Sequence, residues 1–286
     1  MTYQEANQEG KIILTEHGVE DATVDAWLLM EFVTGMSRTR FFVDGIFQMQ
    51  PEEEERYFKL IEKRAERIPL QHLTGVQEFM GLEFLVNEHV LIPRQDTELL
   101  VLEAEKQIRR SFGGCADVLD MCTGSGCIAV SLKVRNPQIQ CTAADVSAKA
   151  LEMARKNAEK MQTDLRFVQT DMFSGITGTY DMIVSNPPYI PTKVIESLEA
   201  EVRLYDPFSA LDGKEDGLYF YKILAKESPR FLKKGGGIYL EIGHDQSAPV
   251  EALLKEVGFE EIRTEKDLAG LDRVVCGVYN KSEEVK

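Results

Sequence analysis

Short apolar segments alternate with helical segments along the chain from Asp96 onward. The apolar runs that predict strands lie at about 117–121, 139–144, 165–169, 180–185 and 237–242, and a further apolar segment lies at 273–279. Segments with helical spacing lie between and beside them, at about 96–110, 127–135, 147–161, 216–233 and 247–257. This alternation is typical of an α/β fold with a parallel, doubly wound sheet. Ligands of such sheets bind outside the carboxyl ends of the strands, so polar residues at strand ends are the candidate ligand-binding residues.

The first part of the chain has a different character. Up to about Leu73, apolar residues recur at helical spacing, and a proline followed by four glutamates opens a helix predicted at 51–68. Short apolar stretches punctuated by proline and glycine in 69–92 predict a β-hairpin. We therefore expect a small helical domain, a hairpin linker and an α/β domain at 1–73, 74–92 and 93–286. We expect the tail at 281–286 to be frayed.

Composition narrows the class of function. Apolar residues make up 43% of the 286 residues, which is enough for a full core. The formal net charge is −15, whereas enzymes that track bulk DNA or RNA normally carry a basic surface. A protein substrate, or a partner with a basic patch, fits this charge better. Solubility alone is an equally good explanation of the acidity.

The cysteines and histidines favour neither a disulfide framework nor a metal site. The cysteine count is odd, no C-x-x-C pair occurs, and the four histidines are scattered. The cysteines are Cys115, Cys122, Cys127, Cys141 and Cys276. No signal peptide or membrane-spanning run is recognisable, so we expect a monomer of the reducing cytoplasm that binds no metal, nucleic acid or membrane.

Residues 186–189, Asn-Pro-Pro-Tyr, end one of the predicted strands. Asn186 offers a side-chain carbonyl, and Pro187 and Pro188 offer backbone carbonyls at a fixed φ. Tyr189 adds a flat ring. Fixed hydrogen-bond acceptors beside an aromatic ring are suited to bind a planar NH2 group, such as that of an amide or the exocyclic amine of a base. A tight strand-to-loop turn is the alternative interpretation of the same four residues.

A second motif lies upstream, where a predicted strand is followed by a turn of small residues and then by a helix. The turn is Cys122-Thr123-Gly124-Ser125-Gly126, and its glycines allow a ligand to approach the backbone.

Acids accompany this turn at the strand ends. Asp120 precedes it, Asp145 ends the next strand, where an acid typically binds ribose hydroxyls, and Asp171 ends the third. With Asn186, four consecutive strands each deliver a polar group to one edge. Any one of them is also explained as a cap or turn residue.

These motifs resemble those of class I S-adenosylmethionine (SAM)-dependent methyltransferases and, more narrowly, of the peptide chain release factor glutamine methyltransferase (PrmC, or HemK) family. The resemblance runs almost from end to end. Its signatures include 72–75, Leu91-Ile-Pro-Arg94, Asp96-Thr-Glu98, 210–213, 215–217, Leu240-Glu-Ile-Gly243 and 266–270. The Ile-Pro-Arg-x-Asp-Thr-Glu segment is the most discriminating, because the sister enzymes that act on a ribosomal protein share the Asn-Pro-Pro-Tyr but resemble Pro-Arg-Ser-Pro at this segment.

The resemblance implies methyl transfer from SAM to the side-chain amide nitrogen of the glutamine in the Gly-Gly-Gln motif of class 1 release factors, leaving S-adenosylhomocysteine. The implied catalytic residues are Asn186, Pro187 and Tyr189, and the implied substrate-binding residues are these with Pro188 and Arg94. The implied cofactor residues are Asp120, Cys122, Thr123, Gly124, Ser125, Gly126, Asp145, Asp171, Met172 and Asn186. The N-terminal helices are the implied docking surface for the release factor.

Four residues depart from the family pattern, namely Cys122, Gln95 in place of a common proline, Leu271 in place of a common asparagine, and Met172, and the role of Arg94 has alternatives. Cys122 stands where the family usually has a glycine, and since a cysteine requires an ordinary negative φ, we expect the turn to survive with less room beside the SAM carboxylate. Met172 stands where adenine packs, as a softer platform than the aromatic ring of some relatives. Arg94 contacts either the SAM carboxylate or the substrate, or instead pairs with Asp96 or Glu98.

Three other functions compete with this interpretation. An N6-adenine DNA methyltransferase uses the same tetrapeptide but needs a basic surface and a base-flipping pocket. A ribosomal-protein glutamine methyltransferase shares the chemistry. A non-catalytic SAM-binding partner of the translation apparatus has no need of both Asn186 and Asp145.

Overall fold

The computed structural model describes residues 1–280, which form two compact units. The first unit comprises Met1–Val76 together with Glu199–Tyr205. The second comprises Gln77–Leu198 and the chain from Asp206 onward. The tail predicted to be frayed, 281–286, lies outside the described residues. No helix within the described part of the chain is long and apolar enough to cross a membrane.

The first unit is helical, as its periodicity predicts. Its helices are α1 (Tyr3–Glu16), α2 (Ala22–Thr34), α3 (Arg38–Asp44), α4 (Pro51–Ala65), α5 (Leu70–Thr74) and α10 (Ala200–Tyr205). Ala26, Leu29 and Ile61 are fully buried in its core. The buried Arg64 side chain donates from Nε to Asp25 at 2.7 Å and from Nη2 to Glu201 at 3.0 Å, which ties α10 to α2 and α4.

The second unit carries nine strands and seven helices within the described residues. Its strands are β1 (Val76–Phe79), β2 (Leu82–Leu85), β3 (Asp117–Met121), β4 (Gln140–Asp145), β5 (Arg166–Gln169), β6 (Tyr180–Ser185), β7 (Leu232–Glu241), β8 (Phe259–Lys266) and β9 (Asp272–Tyr279). Its helices are α6 (Thr97–Phe112), α7 (Cys127–Arg135), α8 (Ala148–Lys160), α9 (Thr192–Ile195), α11 (Phe208–Leu211), α12 (Tyr219–Glu227) and α13 (Ser247–Glu256).

Seven of these strands form one sheet in the order β5-β4-β3-β6-β7-β9-β8. The predicted doubly wound α/β architecture is confirmed. The sheet is parallel through β7, but β9 runs antiparallel to both of its neighbours, so the expectation of an all-parallel sheet was wrong at this edge. The parallel strands all end at one edge, and the chain reverses between β3 and β6, where a ligand crevice is expected.

The elements after β6 differ most from prediction. The helix predicted at 216–233 is shorter, because α12 ends at Glu227 and β7 already begins at Leu232. The glycine-rich segment of β7 suggests a turn, yet it pairs with β6 and β9 in the sheet. Strand β8 was missed altogether. It lies at the sheet edge with mostly polar residues, and its register shifts between Glu260 and Arg263, which hides the period of two.

The predicted hairpin is present as β1 and β2. Phe79 and Phe84 are buried in the same core as β3 and α7. Asn157 of α8 donates to the carbonyl oxygens of Leu85 and Ser125 at 3.0 and 2.9 Å, and accepts from the Leu85 N–H. The hairpin is therefore fixed to the glycine turn after β3 through one buried amide.

Candidate active site

A cleft of about 970 Å³, counted to its open mouth, lies at the carboxyl ends of β3, β4 and β6. Ten of the predicted site residues line it: Arg94, Cys122, Thr123, Gly124, Ser125, Asp145, Asp171, Met172, Asn186 and Pro188. The other four, Asp120, Gly126, Pro187 and Tyr189, are not among the lining residues. The structure thus brings together most of a site predicted from four separate strands.

The turn after β3 has two glycines with different surroundings. Gly124 has φ +56°, and a Cβ on it would meet nothing within 4 Å, so this residue faces open space in the cleft. Gly126 has φ +80°, and its Cβ would lie 2.9 Å from Cβ of Ala154 on α8. One glycine therefore leaves room for a ligand, whereas the other allows α8 to pack against the start of α7.

The two glycines predict different stability losses. Gly126→Ala combines a left-handed backbone with a clash and is expected to cost about 2–4 kcal/mol in the free energy of unfolding. Gly124→Ala, the matched control, meets no atom and is expected to cost only about 1–2 kcal/mol for its backbone. Urea unfolding followed by circular dichroism measures both. Equal losses would contradict the assigned packing role of Gly126.

Cys122 corrects one expectation. Its φ is +63°, in the left-handed region, so the expected ordinary negative φ was wrong. The turn keeps the backbone that a glycine would adopt, and the cysteine carries the strain of that conformation. Burial raises the pKa of its thiol far above the usual value, and the charge of Asp145 raises it further. The side chain is therefore a neutral, partly buried wall of the cleft.

Asp120 lies beneath the turn. It is fully buried, and its Oδ2 accepts from the Thr123 hydroxyl at 2.6 Å and from the Ala129 N–H at 3.2 Å. Burial raises its pKa to about 7, although these hydrogen bonds oppose the shift. Asp120 is placed to hold the turn and the first turn of α7, so any effect on a cofactor acts through Thr123.

Asp145 ends β4 with its carboxylate at the cleft. Oδ2 accepts from the Gly124 N–H and Oδ1 from the Ser147 N–H, both at 2.9 Å. Burial raises its pKa, and the backbone hydrogen bonds lower it in part. Each oxygen retains a second lone pair for a ligand hydroxyl. Val146, which is 60% exposed, lines the cleft beside it as an apolar surface.

Asp171 and Met172 line the cleft from the segment after β5. Met172 has φ +46°, and Thr170 donates through its hydroxyl to the Met172 carbonyl oxygen at 2.9 Å. This hydrogen bond stabilises an otherwise unfavourable backbone conformation. The side chain of Met172 is 7% exposed, which places a polarisable apolar group at the cleft wall.

Asn186 follows β6 and has one defined side-chain partner. Its Nδ2 donates to Oγ1 of Thr97, the first residue of α6, at 3.2 Å. The amide orientation is assigned from this contact. With the nitrogen directed at Thr97, the Oδ1 atom is the acceptor that remains for a ligand in the cleft.

The chain after Asn186 is held by two glycines and a glutamine. The carbonyl oxygen of Tyr189 accepts from Nε2 of Gln246 at 3.0 Å. A Cβ on Gly217 would lie 2.4 Å from that oxygen, and a Cβ on Gly213 would lie 2.7 Å from the Tyr189 carbonyl carbon. Only glycine fits at both positions, so the Asp-Gly segments seen in the sequence pack directly on the tetrapeptide backbone.

Arg94 pairs with a residue that the sequence did not single out. Its Nη2 lies 2.7 Å from Oδ2 of Asp206, whose side chain is almost fully buried. The ion pairs considered for Arg94 with Asp96 and with Glu98 were wrong, because Asp96 pairs with Arg273 at 3.2 Å and Glu98 accepts from the Met80 N–H at 2.6 Å. Arg94 remains 43% exposed at the cleft while Asp206 fixes its position.

Two buried residues beside Asn186 were quoted in sequence motifs but given no role. Thr97 is 1% exposed and lines the cleft, and Glu241, at the end of β7, is also 1% exposed. Glu241 could have been found from the sequence, where it is a single acid between apolar residues at a strand end. Such an acid is expected to be buried, and buried acids are rare unless they have a partner. Within residues 1–280, no group of three or more His, Cys, Asp or Glu is placed to hold a metal ion.

Comparison with known proteins agrees with this geometry. Residues 5–75 match the family profile described as PrmC N-terminal domain, and residues 95–202 match that described as Methyltransferase small domain. The chain is 40% identical over 265 residues to the release factor glutamine methyltransferase of Geobacter sulfurreducens, covering 92% of each chain. It is 38% identical to the enzyme of the same name from Caulobacter vibrioides, covering 99% of this chain and 98% of that one.

A solved structure shares the fold. The crystal structure of a methyltransferase from Pyrococcus furiosus matches 79% of this chain and 99% of its own, with a TM-score of 0.52 and 17% identity.

Proposed function

Because the chain belongs to the release factor glutamine methyltransferase family, we propose that it transfers a methyl group from SAM to the side-chain amide of the glutamine in the Gly-Gly-Gln motif of class 1 release factors. The observation that carries the proposal is the orientation of Asn186 in the cleft. Its nitrogen is taken by Thr97, and its oxygen is left as an acceptor for an NH2 group.

The cleft residues fit SAM. Gly124 leaves space at the turn, and Oγ of Ser125 is buried without a hydrogen-bond partner among the described residues, although it lines the cleft. Asp145 offers two carboxylate oxygens for ribose hydroxyls, and Met172 offers an apolar platform for a base. We assign the turn to the amino-acid end of SAM and Asp145 with Met172 to its adenosine. When bound, SAM supplies an electrophilic methyl group on a positively charged sulfur.

The chain must orient a poor nucleophile, because the lone pair of an amide nitrogen is delocalised into its carbonyl. Asn186 Oδ1 and the Pro187 carbonyl oxygen accept the two amide protons and hold the nitrogen toward the methyl group. Both acceptors also stabilise the positive charge that develops on nitrogen as the new N–C bond forms. Tyr189 packs against the amide plane. Its ring is not part of the cleft lining, so this contact requires the Tyr189 side chain to turn toward a bound glutamine.

No dedicated base is required. The methylated nitrogen is strongly acidic until it loses one proton, and that proton passes to water. This agrees with the placement of the buried acids Asp120 and Glu241, since neither lines the cleft as an exposed base.

Mass spectrometry of the release factor tests the proposal. After incubation with SAM and the protein, the Gly-Gly-Gln peptide is expected to gain one methyl group on its glutamine. The same incubation with duplex DNA, and with ribosomal protein, tests the two competing substrates. Transfer to DNA or ribosomal protein with none to the release factor would refute the proposed substrate.

The docking surface is the second part of the proposal. We assign the helical domain at 1–73 to release-factor binding, the hairpin at 74–92 to linkage, and residues 93–286 to catalysis. The support is an apolar patch on the first unit, formed by Phe42, Val43, Ile46 and Phe47, which we call the α3 patch. These side chains are 59–71% exposed, which is unusual for four large apolar residues in a six-residue stretch.

The α3 patch predicts a selective loss of substrate affinity. Phe42→Ser combined with Ile46→Ser is expected to lower kcat/KM for the intact release factor roughly 10- to 100-fold, since each removes an apolar anchor worth about 1 kcal/mol or more. The Kd for SAM should not change. Leu102→Ser on α6 removes another exposed apolar side chain as the matched control. Equal kcat/KM for all three proteins would exclude the patch as the docking surface.

A further inference from the structure

Glu241 lies directly beside Asn186 in the sheet. Strands β6 and β7 are parallel with Ser185 paired to Leu240, so the next residues, Asn186 and Glu241, are neighbours at the strand ends. Neighbours in register project to the same face of a sheet. Glu241 is 1% exposed, and its Oε2 has no hydrogen-bond partner among the described residues. The proposed methyl transfer does not use this buried carboxyl.

Thr97 connects the two residues. Helix α6 packs against β6 and β7, which brings its first residue to their ends. Oγ1 of Thr97 accepts from Nδ2 of Asn186, so the hydroxyl proton of Thr97 must point to a different acceptor. Burial raises the pKa of the Glu241 carboxyl, whereas hydrogen bonding from Thr97 and Asn186 lowers it. Glu241, the neighbour of Asn186 in register, is the candidate acceptor for that hydroxyl proton.

We propose that Glu241, acting through Thr97, is a positioning residue that fixes the Asn186 amide with its nitrogen inward and its oxygen toward the substrate. This inference rests on the proposed function of Asn186. An asparagine side chain has nearly the same shape in its two flipped orientations, so packing alone selects neither. An ionised carboxylate only accepts hydrogen bonds, and therefore selects the orientation in which donors face it.

The same arrangement raises the acceptor strength of Asn186. Hydrogen bonds in a chain polarise one another, and the effect is larger in a buried site than in water. When Nδ2 of Asn186 donates a hydrogen bond toward an anion, the amide group is polarised and Oδ1 becomes more negative. That oxygen is the atom that faces the developing charge on the substrate nitrogen.

The charge state of Glu241 changes near neutral pH. Burial raises its pKa to about 7, and hydrogen bonding from Thr97 and Asn186 and the charge of Arg273 oppose the shift. Asp96 raises it further.

The other titratable groups that interact with this carboxyl are hydroxyls and a thiol. They are Tyr189, Tyr221 and Cys127, and each has a pKa raised by burial and, to a smaller extent, by Glu241. They stay neutral where the carboxyl titrates. The ionised form, which orients Thr97, therefore accumulates as pH rises through about 7.

Glu241→Gln is the main test, because glutamine has similar size but can donate as well as accept. For the wild-type enzyme with saturating SAM, kcat on the release factor is expected to rise with pH to a plateau. The variant should lose about 10- to 100-fold in plateau kcat, as residues that orient a reacting group typically do, and should lose the pH-dependent rise. Its Kd for SAM should remain close to the wild-type value.

Thr97 supplies a second test should Glu241→Gln fail to fold. Thr97→Val keeps the shape and removes the hydroxyl, whereas Thr97→Ser keeps the hydroxyl. The valine variant is expected to lose kcat by a similar factor, and the serine variant to restore most of it. A folded Glu241→Gln enzyme with the wild-type pH profile, or equal kcat for the two Thr97 variants, would overturn the inference.

The wild-type control separates this inference from the proposed function. If the wild-type enzyme methylates no release factor, the proposed function fails and the inference falls with it. If the wild-type enzyme is active and the variants keep its rate and pH profile, only the positioning role of Glu241 fails. Asp120 also has a pKa of about 7, so the comparison between wild type and Glu241→Gln, rather than the wild-type profile alone, assigns the titration.

Discussion

Asn186→Ala is expected to lower kcat by about 100- to 1,000-fold, the usual loss for one hydrogen-bonding group that acts in the transition state. The variant removes the acceptor oxygen that Thr97 leaves free for the substrate amide. Because that oxygen interacts most strongly with the charge that develops on nitrogen, kcat should fall more than KM for the release factor rises. Steady-state kinetics with intact release factor at saturating SAM measure both.

Asn136→Ala is the matched control for this loss. Asn136 is also buried, but it caps the far end of α7, where its Nδ2 donates to the Leu132 carbonyl oxygen at 3.2 Å. The same change of side chain there is expected to cost about 1 kcal/mol of stability and to leave kcat unaltered. The Kd for SAM should change little in either variant. Unchanged turnover of Asn186→Ala would exclude the proposed role of Asn186.

The strand-end residues show what the sequence could predict. Asp145, Asp171 and Asn186 were expected at one edge because parallel strands share their carboxyl end, and all three line the same cleft. Asp120 followed the same pattern but lies one residue before the end of β3, where its side chain points beneath the turn. A strand alternates its side chains, so a shift of one residue separates a ligand-facing acid from a structural one.

Long-range partners and backbone conformation lay beyond the sequence pattern. Arg94 and Asp206 are separated by 112 positions, and no local periodicity indicates that a buried carboxylate lies so far along the chain. Cys122 adopts a positive φ because its neighbours hold the turn: Asp145 binds the Gly124 N–H, and the Thr123 N–H donates to the Ala144 carbonyl oxygen. The steric preference of the isolated residue was therefore a poor guide where several hydrogen bonds fix the backbone.

Asp145→Ala is expected to raise the Kd for SAM and to spare the chemistry. Hydrogen bonds to a charged carboxylate contribute about 1.5–3 kcal/mol each, so losing one of them corresponds to a roughly 10- to 150-fold weaker complex. The substitution also releases the Gly124 and Ser147 N–H groups, which Asp145 now accepts from. Asp145→Asn, which keeps one oxygen and the side-chain shape, should therefore lose less affinity than the alanine variant.

Equilibrium titration with S-adenosylhomocysteine measures the affinity without turnover, and Asp164→Ala is the matched control. Asp164 is an exposed acid in the turn before β5, so its removal changes the net charge by the same unit away from the cleft. If Asp145 acts through cofactor binding, raising the SAM concentration should restore most of the rate of Asp145→Ala but none of the rate lost in Asn186→Ala. This opposite response separates the residue that holds the cofactor from the residue that orients the amide. An unchanged Kd for Asp145→Ala would contradict its ribose-binding role.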